Sequence, residues 1–244
     1  MATKLHNLIG FHLQATDGTI GMVKDFYFDC KSWKLRYLVA DTGTWLPGRK
    51  VIIAPQSLGM PDIVENLIPV NLTREQIRSS PRLEEGIPVT RQYVADIHQY
   101  YQWPISAGEY PFPDERPGPP DTCRSETAGE SEKYLRSAVE VTKYNILAQD
   151  GFIGYTVDMI VDDTWTIRYL IVDTNKWLPG GKVLISPSWI RDINFDRKYM
   201  EVEVTRRQVR ESPGYKPAEP LDREYEEKLF EHYGITPDPE RAAR

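Results

Sequence analysis

Residues 33–51, "WKLRYLVADTGTWLPGRKV", return at residues 165–183 as "WTIRYLIVDTNKWLPGGKV". Apolar side chains occupy every second position from Trp33 to Val39, which is the pattern of a β-strand. The Pro-Gly pair that follows favours a type II turn, because Pro fixes one dihedral angle and Gly accepts a positive φ. A strand that ends in a tight corner, present twice, predicts two copies of a small β-rich unit.

The similarity extends well beyond this stretch. Residues 17–29, "DGTIGMVKDFYFD", match residues 150–162, "DGFIGYTVDMIVD", at an offset of 133 (150 − 17). From Trp33 onward the offset is 132 (165 − 33), and it still aligns "VNLTREQIRSSP" with "VEVTRRQVRESP" some forty residues later. One offset sustained over about ninety residues indicates a tandem duplication.

The strands of each copy are predicted from turn signals and alternation. The Asp-Gly dipeptides at 17–18 and 150–151 predict hairpin turns. After the first turn we expect one strand face to carry Ile20, Met22, Phe26 and Phe28, and after the second Ile153, Tyr155, Val157, Met159 and Val161. Five or six short strands per copy, with no long helix between them, predict a mainly β protein with two small antiparallel β-barrels.

Short helices are predicted after the strands of each copy. Residues 73–76 and 205–208 have the T-x-x-Q spacing of a capping box, and a Ser-Pro pair ends each helix. A second helix is expected near residues 90–101 and 222–233. Tyrosines recur there at helical spacing and define what we call the tyrosine stripes: Tyr93, Tyr101, Tyr225 and Tyr233.

The two copies are separated by a segment rich in Pro and polar residues, which predicts an extended linker. We therefore expect a first barrel with its helical tail over residues 1–103, the linker over residues 104–133, and a second barrel with its tail over residues 134–244.

The bulk properties narrow the function classes. Hydrophobic residues make up 40% of the chain, charged residues 27%, and the formal net charge is −6. This charge argues against non-specific binding to nucleic acid or anionic lipid. Cys30 and Cys123 lack C-x-x-C spacing, so we expect no disulfide framework and a reducing cytoplasm. No stretch approaches the length of a membrane-spanning helix.

The motif residues of both copies resemble those of the PRC-barrel family. In the first copy they are Gly21, Asp25, Trp33, Arg36, Tyr37, Leu38, Val39, Trp45, Leu46, Pro47, Gly48, Lys50, Val51 and Pro55; the second copy repeats them from Gly154 to Pro187. The resemblance implies small β-barrels. The family includes the cytoplasmic domain of the photosynthetic reaction centre H subunit and the C-terminal domain of the ribosome maturation factor RimM.

Nothing in the sequence indicates catalysis. Zinc-ligand spacing, a phosphate-binding glycine loop and a G-x-S-x-G elbow are all missing, and the copies share neither His98 nor His232. We therefore predict a protein that is not an enzyme, with no catalytic residue, metal or cofactor.

Two pairs of charged residues are candidate sites because both copies keep them. Asp25 and Asp158 could relay protons or bind a metal, or they could accept backbone hydrogen bonds at turns, which we favour. Arg36 and Arg168 could assist base stacking on RNA, or they could lie on the solvated face of a strand, which the acidic net charge favours.

The shared aromatic residues have alternative interpretations too. Trp45 and Trp177 would cover a barrel end or lie where the barrels meet, and we favour architecture over ligand binding. The tyrosine stripes would dock a partner helix or the other copy, or each would cover its own barrel.

The resulting hypothesis is a cytoplasmic, non-enzymatic scaffold that binds a protein partner, whose two barrels pack together. The resemblance to the H subunit suggests a membrane-associated complex as the partner, without membrane insertion. The alternatives are an RNA- or ribosome-assembly factor, as the RimM resemblance implies, and a small-ligand or proton-handling module.

Overall fold

The computed structural model describes residues 2–43, 45–47, 49–82, 89–104, 123–124, 135–178, 181–217 and 221–234. The strands are β1 (Thr3–Lys4), β2 (His12–Ala15), β3 (Gly18–Asp29), β4 (Leu35–Asp41), β5 (Lys50–Ile53), β6 (Leu67–Pro69), β7 (Cys123–Arg124), β8 (Leu135–Ser137), β9 (Asn145–Ala148), β10 (Gly151–Val161), β11 (Ile167–Asp173), β12 (Lys182–Ile185), β13 (Ile190–Asn194) and β14 (Tyr199–Val202). The helices are α1 (Leu5–Leu8), α2 (Arg74–Ser79), α3 (Arg91–Tyr101), α4 (Ala138–Val141), α5 (Arg206–Glu211) and α6 (Arg223–Tyr233), with 3₁₀ turns at Pro55–Ser57 and Pro187–Trp189.

These elements form two sheets, one around each copy, so the predicted mainly β architecture is confirmed. The first sheet has the order β5-β4-β3-β2-β6, and the second has the order β12-β11-β10-β9-β14-β13-β7. The sheets are not wholly antiparallel as predicted, because β2 runs parallel to β6 and β9 runs parallel to β14. No hairpin joins the strands of either pair, so chain connectivity does not impose an antiparallel arrangement.

The hydrogen-bonded ladder of each sheet stays open among the described residues, which differs from a continuously closed barrel. Each sheet turns its corner after β5 or β12 at a 3₁₀ turn that begins with Pro55 or Pro187. Proline cannot donate to a ladder, so the strand ends there. In the first copy only the isolated bridges Leu58–Val70 and Asp62–Leu67 stand where β13 and β14 form a hairpin in the second.

The long strands β3 and β10 are broken by β-bulges, which changes the predicted faces. The register shifts between Val23 and Asp25, and Met22 is exposed while Val23 is buried. In β10 the shift lies between Thr156 and Asp158, and it buries Thr156. A bulge adds one residue to one strand, so a strict alternation read through it assigns the wrong face. The predicted faces of Met22 and of the Tyr155–Val157 segment were therefore wrong.

Two glycines explain why the bulged strands can lie so close to their neighbours. A Cβ atom on Gly21 would lie 2.0 Å from the carbonyl oxygen of Asp41, and one on Gly154 would lie 2.1 Å from that of Asp173. No side chain fits at such distances, so both copies need glycine at this position.

The helical predictions are confirmed closely. The capping boxes of Thr73 with Gln76 and of Thr205 with Gln208 both form, and they start α2 and α5. Thr90 and Asp222 cap α3 and α6 through their side chains. These signals are local in sequence, which is why they could be interpreted without the tertiary structure.

The first strand of each copy belongs to the sheet of the other copy. β1 pairs with the end of β10, and β8 pairs with the end of β3. The two pairings have the same register under the repeat offset: Thr3–Val161 and Lys4–Ile160 correspond to Arg136–Phe28 and Ser137–Tyr27. The copies are therefore linked by a reciprocal strand exchange.

The cysteines lie together, contrary to the sequence expectation. Cys30, which follows β3, forms a disulfide with Cys123 across 93 residues of chain. Cys123 lies in β7, which adds to β13 of the second sheet. The pairing was missed because spacing cannot show that a linker returns to the end of a distant strand. Apart from Pro104 and these two strand residues, the predicted linker lies outside the described residues.

In the described part of the chain, no helix is both long enough and apolar enough to cross a membrane.

Candidate functional site

The two copies meet at the turns that follow β3 and β10. The N–H of Leu35 donates to the carbonyl oxygen of Trp165 at 2.7 Å, and the N–H of Ile167 donates to that of Trp33 at 2.8 Å. Trp33 and Trp165 have φ angles of 57° and 59°, which are unusual for bulky residues. Each left-handed residue lies at the crossing of the copies, where its carbonyl accepts the hydrogen bond. No sequence signal marked this conformation.

The shared aspartates hold the exchanged segments. Asp25 accepts hydrogen bonds from the Ser137 hydroxyl at 2.6 Å and the Val139 N–H at 3.1 Å. Reciprocally, Asp158 accepts from the His6 N–H at 3.0 Å. Burial raises the pKa of both carboxyls, and the hydrogen bonds to their charged forms oppose that shift. The aspartates therefore bind the first turn of the other copy's short helix, α4 or α1.

The shared arginines stabilise the turns at the same junction. Arg36 lies 3.5 Å from the carboxylate of Asp29, and Arg168 lies 3.7 Å from that of Asp162. The same carboxylates accept backbone N–H groups within their turns. These contacts support the interpretation of Arg36 and Arg168 as part of the architecture.

The repeated Trp-Leu-Pro-Gly corners pack against the capped helices. The guanidinium carbons of Arg74 and Arg78 on α2 lie 4.7 and 5.8 Å from the ring centre of Trp45. Trp177 repeats this arrangement, with two arginines of α5 at 4.7 and 5.5 Å. The Arg49 N–H donates to the Leu46 carbonyl, as expected for a β-turn. Gly48, Pro179 and Gly180, on which the type II prediction depends, lie outside the described residues.

The tyrosine stripes contact their own copies. The hydroxyl of Tyr93 donates to the carbonyl of Pro81 at 3.3 Å, and that of Tyr225 donates to the carbonyl of Pro213 at 2.9 Å. The other two tyrosines pack on tryptophans: Tyr101 on Trp103 with ring centres 4.4 Å apart, and Tyr233 on Trp189 at 4.3 Å. The tyrosines of both stripes are thus partly or fully buried against residues of their own copy.

Most of the shared residues named above make contacts within the fold. The copies differ, however, in an exposed apolar segment of the first copy. Met60, Ile63 and Val64 of the first copy are 70%, 46% and 86% exposed. The first two line an apolar cleft of about 60 Å³ between the copies, which we call the open groove. Its lining residues are Thr3, Leu8, Met60, Pro61, Ile63, Val161, Asp162, Asp163 and Trp165.

The repeat places a second groove at the equivalent position of the other copy, and there it is filled. Ile193 and Phe195 correspond to Pro61 and Ile63, but they are only 1% and 6% exposed. β7 lies beside Ile193, because Cys123 pairs with this residue and the Cys123 sulfur bonds to Cys30. Arg136 also stacks over the Phe195 ring at 4.0 Å. We call this site the filled groove.

The two grooves differ in charge. In and next to the open groove, three acidic residues replace uncharged or basic residues of the second copy, whereas the second copy has Asp192 and Asp196 in place of Met60 and Val64. The pairs are Asp62 with Asn194, Glu65 with Arg197, and Asp163 with Cys30. This site was not identified from the sequence, because only residues that the copies share were considered as candidates. Aligning the copies for differences, rather than for matches, would have indicated it.

Comparison with known proteins identifies a domain family for part of the chain. Residues 2–77 match the family model of the PRC-barrel domain. No curated protein matches the chain.

Proposed function

We propose that this chain, whose residues 2–77 match the PRC-barrel domain family, is a non-enzymatic adaptor that binds a protein partner. The observation that carries this proposal is the exposed apolar surface of Met60, Ile63 and Val64 beside the junction of the copies. Exposed apolar side chains that cluster around a cleft are typical of protein-binding sites.

The engagement of the shared residues supports a binding role rather than a catalytic one. Asp25 and Asp158 accept backbone hydrogen bonds across the junction, which favours a structural role over proton transfer. Trp45 and Trp177 stack on arginines of their own copies. The residues kept in both copies thereby maintain the fold, and the surface found in one copy provides the function.

The proposal extends to the second copy and to the pair. We take residues 134–244 as a second PRC-type barrel on the strength of the internal repeat. The reciprocal strand pairings support a single folding unit that imitates a homodimer of one-barrel proteins. The resemblance to the reaction centre H subunit supports a membrane-associated complex as the partner.

Photo-cross-linking in cells tests the adaptor function. A photoreactive amino acid at Val64 should yield a discrete protein adduct, because this exposed side chain lies at the edge of the open groove. The matched control is Asp196, the equivalent exposed position of the second copy, where no such adduct is expected. Equal adduct patterns at both positions, or none at either, would refute the proposal.

We also propose that the protein functions in the cytoplasm, where the Cys30–Cys123 disulfide would exchange with the thiol pool. Alkylation of thiols in intact cells, followed by mass spectrometry, should then find a reduced fraction at both cysteines. Complete oxidation would place the protein in an oxidising compartment instead.

A further inference from the structure

We propose that the open groove binds an extended, basic segment of the protein partner, which adds as a short parallel strand beside residues 61–63. The inference rests on the adaptor function proposed above and specifies its ligand. The structure itself provides the template, since β7 occupies the filled groove in this manner.

The two grooves lie at equivalent positions of the two copies. Cys123 lies beside Ile193 and is bonded to Cys30. In the repeat, Ile193 corresponds to Pro61 and Cys30 corresponds to Asp163. Pro61 and Asp163 both line the open groove. The second copy therefore shows which backbone path crosses such a groove. In that copy Ile193 and Phe195, at the positions of Pro61 and Ile63, are both buried.

The backbone at the open groove is available for pairing. Asp62 exchanges both its hydrogen bonds with Leu67, which lies on the side away from the groove. Pro61 and Ile63 flank this bridge residue, and both line the groove. Among the described residues, the Pro61 carbonyl and the Ile63 N–H have no hydrogen-bond partner. Pro61 has no N–H to donate, so an added strand would use these two groups.

Size and charge define the segment further. A cleft of about 60 Å³ admits one small apolar side chain, and Cys123, which pairs beside the filled groove, is a small buried residue. Asp162 and Asp163 line this cleft, and Asp62 and Glu65 adjoin its lining residues in the chain. These carboxylates attract positive charge. The expected ligand is an extended segment with a small apolar residue followed by Arg or Lys, which is the pattern of Cys123 and Arg124 themselves.

Disulfide trapping tests the inference with a defined probe. The variant Asp163→Cys places a thiol where Cys30 stands in the filled groove. The probe is the nonapeptide PPKTCRSKT, which is linker sequence 119–127 with its two acidic residues replaced by Lys. In a glutathione buffer we expect about tenfold more peptide adduct at position 163 than at position 196 in the Asp196→Cys control. Equal trapping at the two positions would overturn the inference.

A matched pair of lysine variants separates groove binding from simple charge attraction. In the Asp163→Cys background, Ile63→Lys should lower trapping about tenfold, because it places a charge in the apolar cleft and repels the basic probe. Val64→Lys adds the same charge next to the groove lining and should lower trapping much less. Equal losses would mean that charge alone attracts the peptide. Both substitutions are at exposed positions, so folding is preserved.

Two other occupants of the open groove are tested by a truncation and by sedimentation. Removal of residues 235–244 should leave trapping unchanged; a tenfold increase would assign the groove to the chain's own C-terminal segment. Sedimentation should give the same mass for the unmodified chain and for Ile63→Lys. A dimer that dissociates in the variant would assign the groove to a second copy. Either result overturns the partner proposal.

The inference and the adaptor function can fail separately. If adducts at Val64 persist in cells carrying Ile63→Lys, the adaptor function stands and the groove is not its site. If trapping succeeds but Val64 gives no adduct in cells, the groove accepts strands and the adaptor function fails.

Discussion

The two copies have the same fold and differ most clearly at one sheet edge. In the second copy β13 pairs with β14 on one side and with the disulfide-bonded linker strand β7 on the other. In the first copy the matching segment forms only isolated bridges and leaves its apolar side chains exposed. A duplicated protein can keep one copy of an edge for stability and leave the other for binding. The predictions below test that division.

The largest expected difference lies between matched truncations in the two grooves. Phe195→Ala should lower the free energy of unfolding by about 3–5 kcal/mol, because it leaves a cavity in the filled groove. Ile63→Ala should cost about 0.5 kcal/mol or less, since the side chain is half exposed. Urea unfolding of both variants measures this, and similar costs would show that the grooves are equally important for stability.

Loss of the disulfide should have the next largest effect. The double variant Cys30→Ala with Cys123→Ala opens a loop of 93 residues, and we expect about 2–4 kcal/mol of destabilisation. Hydrogen exchange should also increase at β13 and remain unchanged at residues 59–66. A wild-type unfolding midpoint that is insensitive to reductant would contradict the pairing.

Substitution of Asp25 and Asp158 tests how much each exchanged segment contributes to stability. Asp25→Ala and Asp158→Ala should each cost about 1–3 kcal/mol, because each leaves backbone donors without an acceptor. The cost should be larger for Asp25, which also accepts the Ser137 hydroxyl. The Asn variants keep one acceptor oxygen and should lie between wild type and Ala in thermal unfolding. Wild-type stability in both Ala variants would show that the exchange is not held by these residues.

The tryptophan corners should behave alike, because their surroundings are alike. Trp45→Ala and Trp177→Ala should each lower stability by about 1–2 kcal/mol through lost packing and cation–π contacts. Calorimetry of both variants tests this. A defect in partner binding at Trp45 with unchanged stability would restore the interpretation of this corner as a binding loop.

The smallest expected difference is a pH effect confined to the first copy. His98 lies 2.7 Å from the Tyr37 hydroxyl, and the second copy has Phe230 in its place. Burial lowers the pKa of His98, and the charge of Arg36 adds to this. As the pH falls, His98 is therefore protonated in the unfolded chain before it is protonated in the folded chain. The free energy of unfolding then decreases as the pH drops through about 6.5.

The variant His98→Phe copies the second repeat and should remove this decline. One proton limits the change in slope to about 1.4 kcal/mol per pH unit. Unfolding midpoints between pH 5 and 8 measure it. The same slope in wild type and variant would exclude His98 as the source.

The sequence predicted those features that depend on neighbouring residues. The capping boxes and the capped second helices agree with the structure. The bulge near Met22, the left-handed Trp33 and the Cys30–Cys123 pairing were not predicted. Each depends on a partner far away in sequence, and alternation or spacing within one segment carries no information about that partner.

The reciprocal strand exchange has a consequence for synthesis on the ribosome. The edge of β3 receives its partner only when residues 135–137 have emerged, and β1 must wait for the end of β10. At about 5–20 residues per second, the first sheet would spend several seconds with an uncovered edge. The nascent chain is thus most vulnerable to aggregation between the completion of its first copy and the arrival of its second.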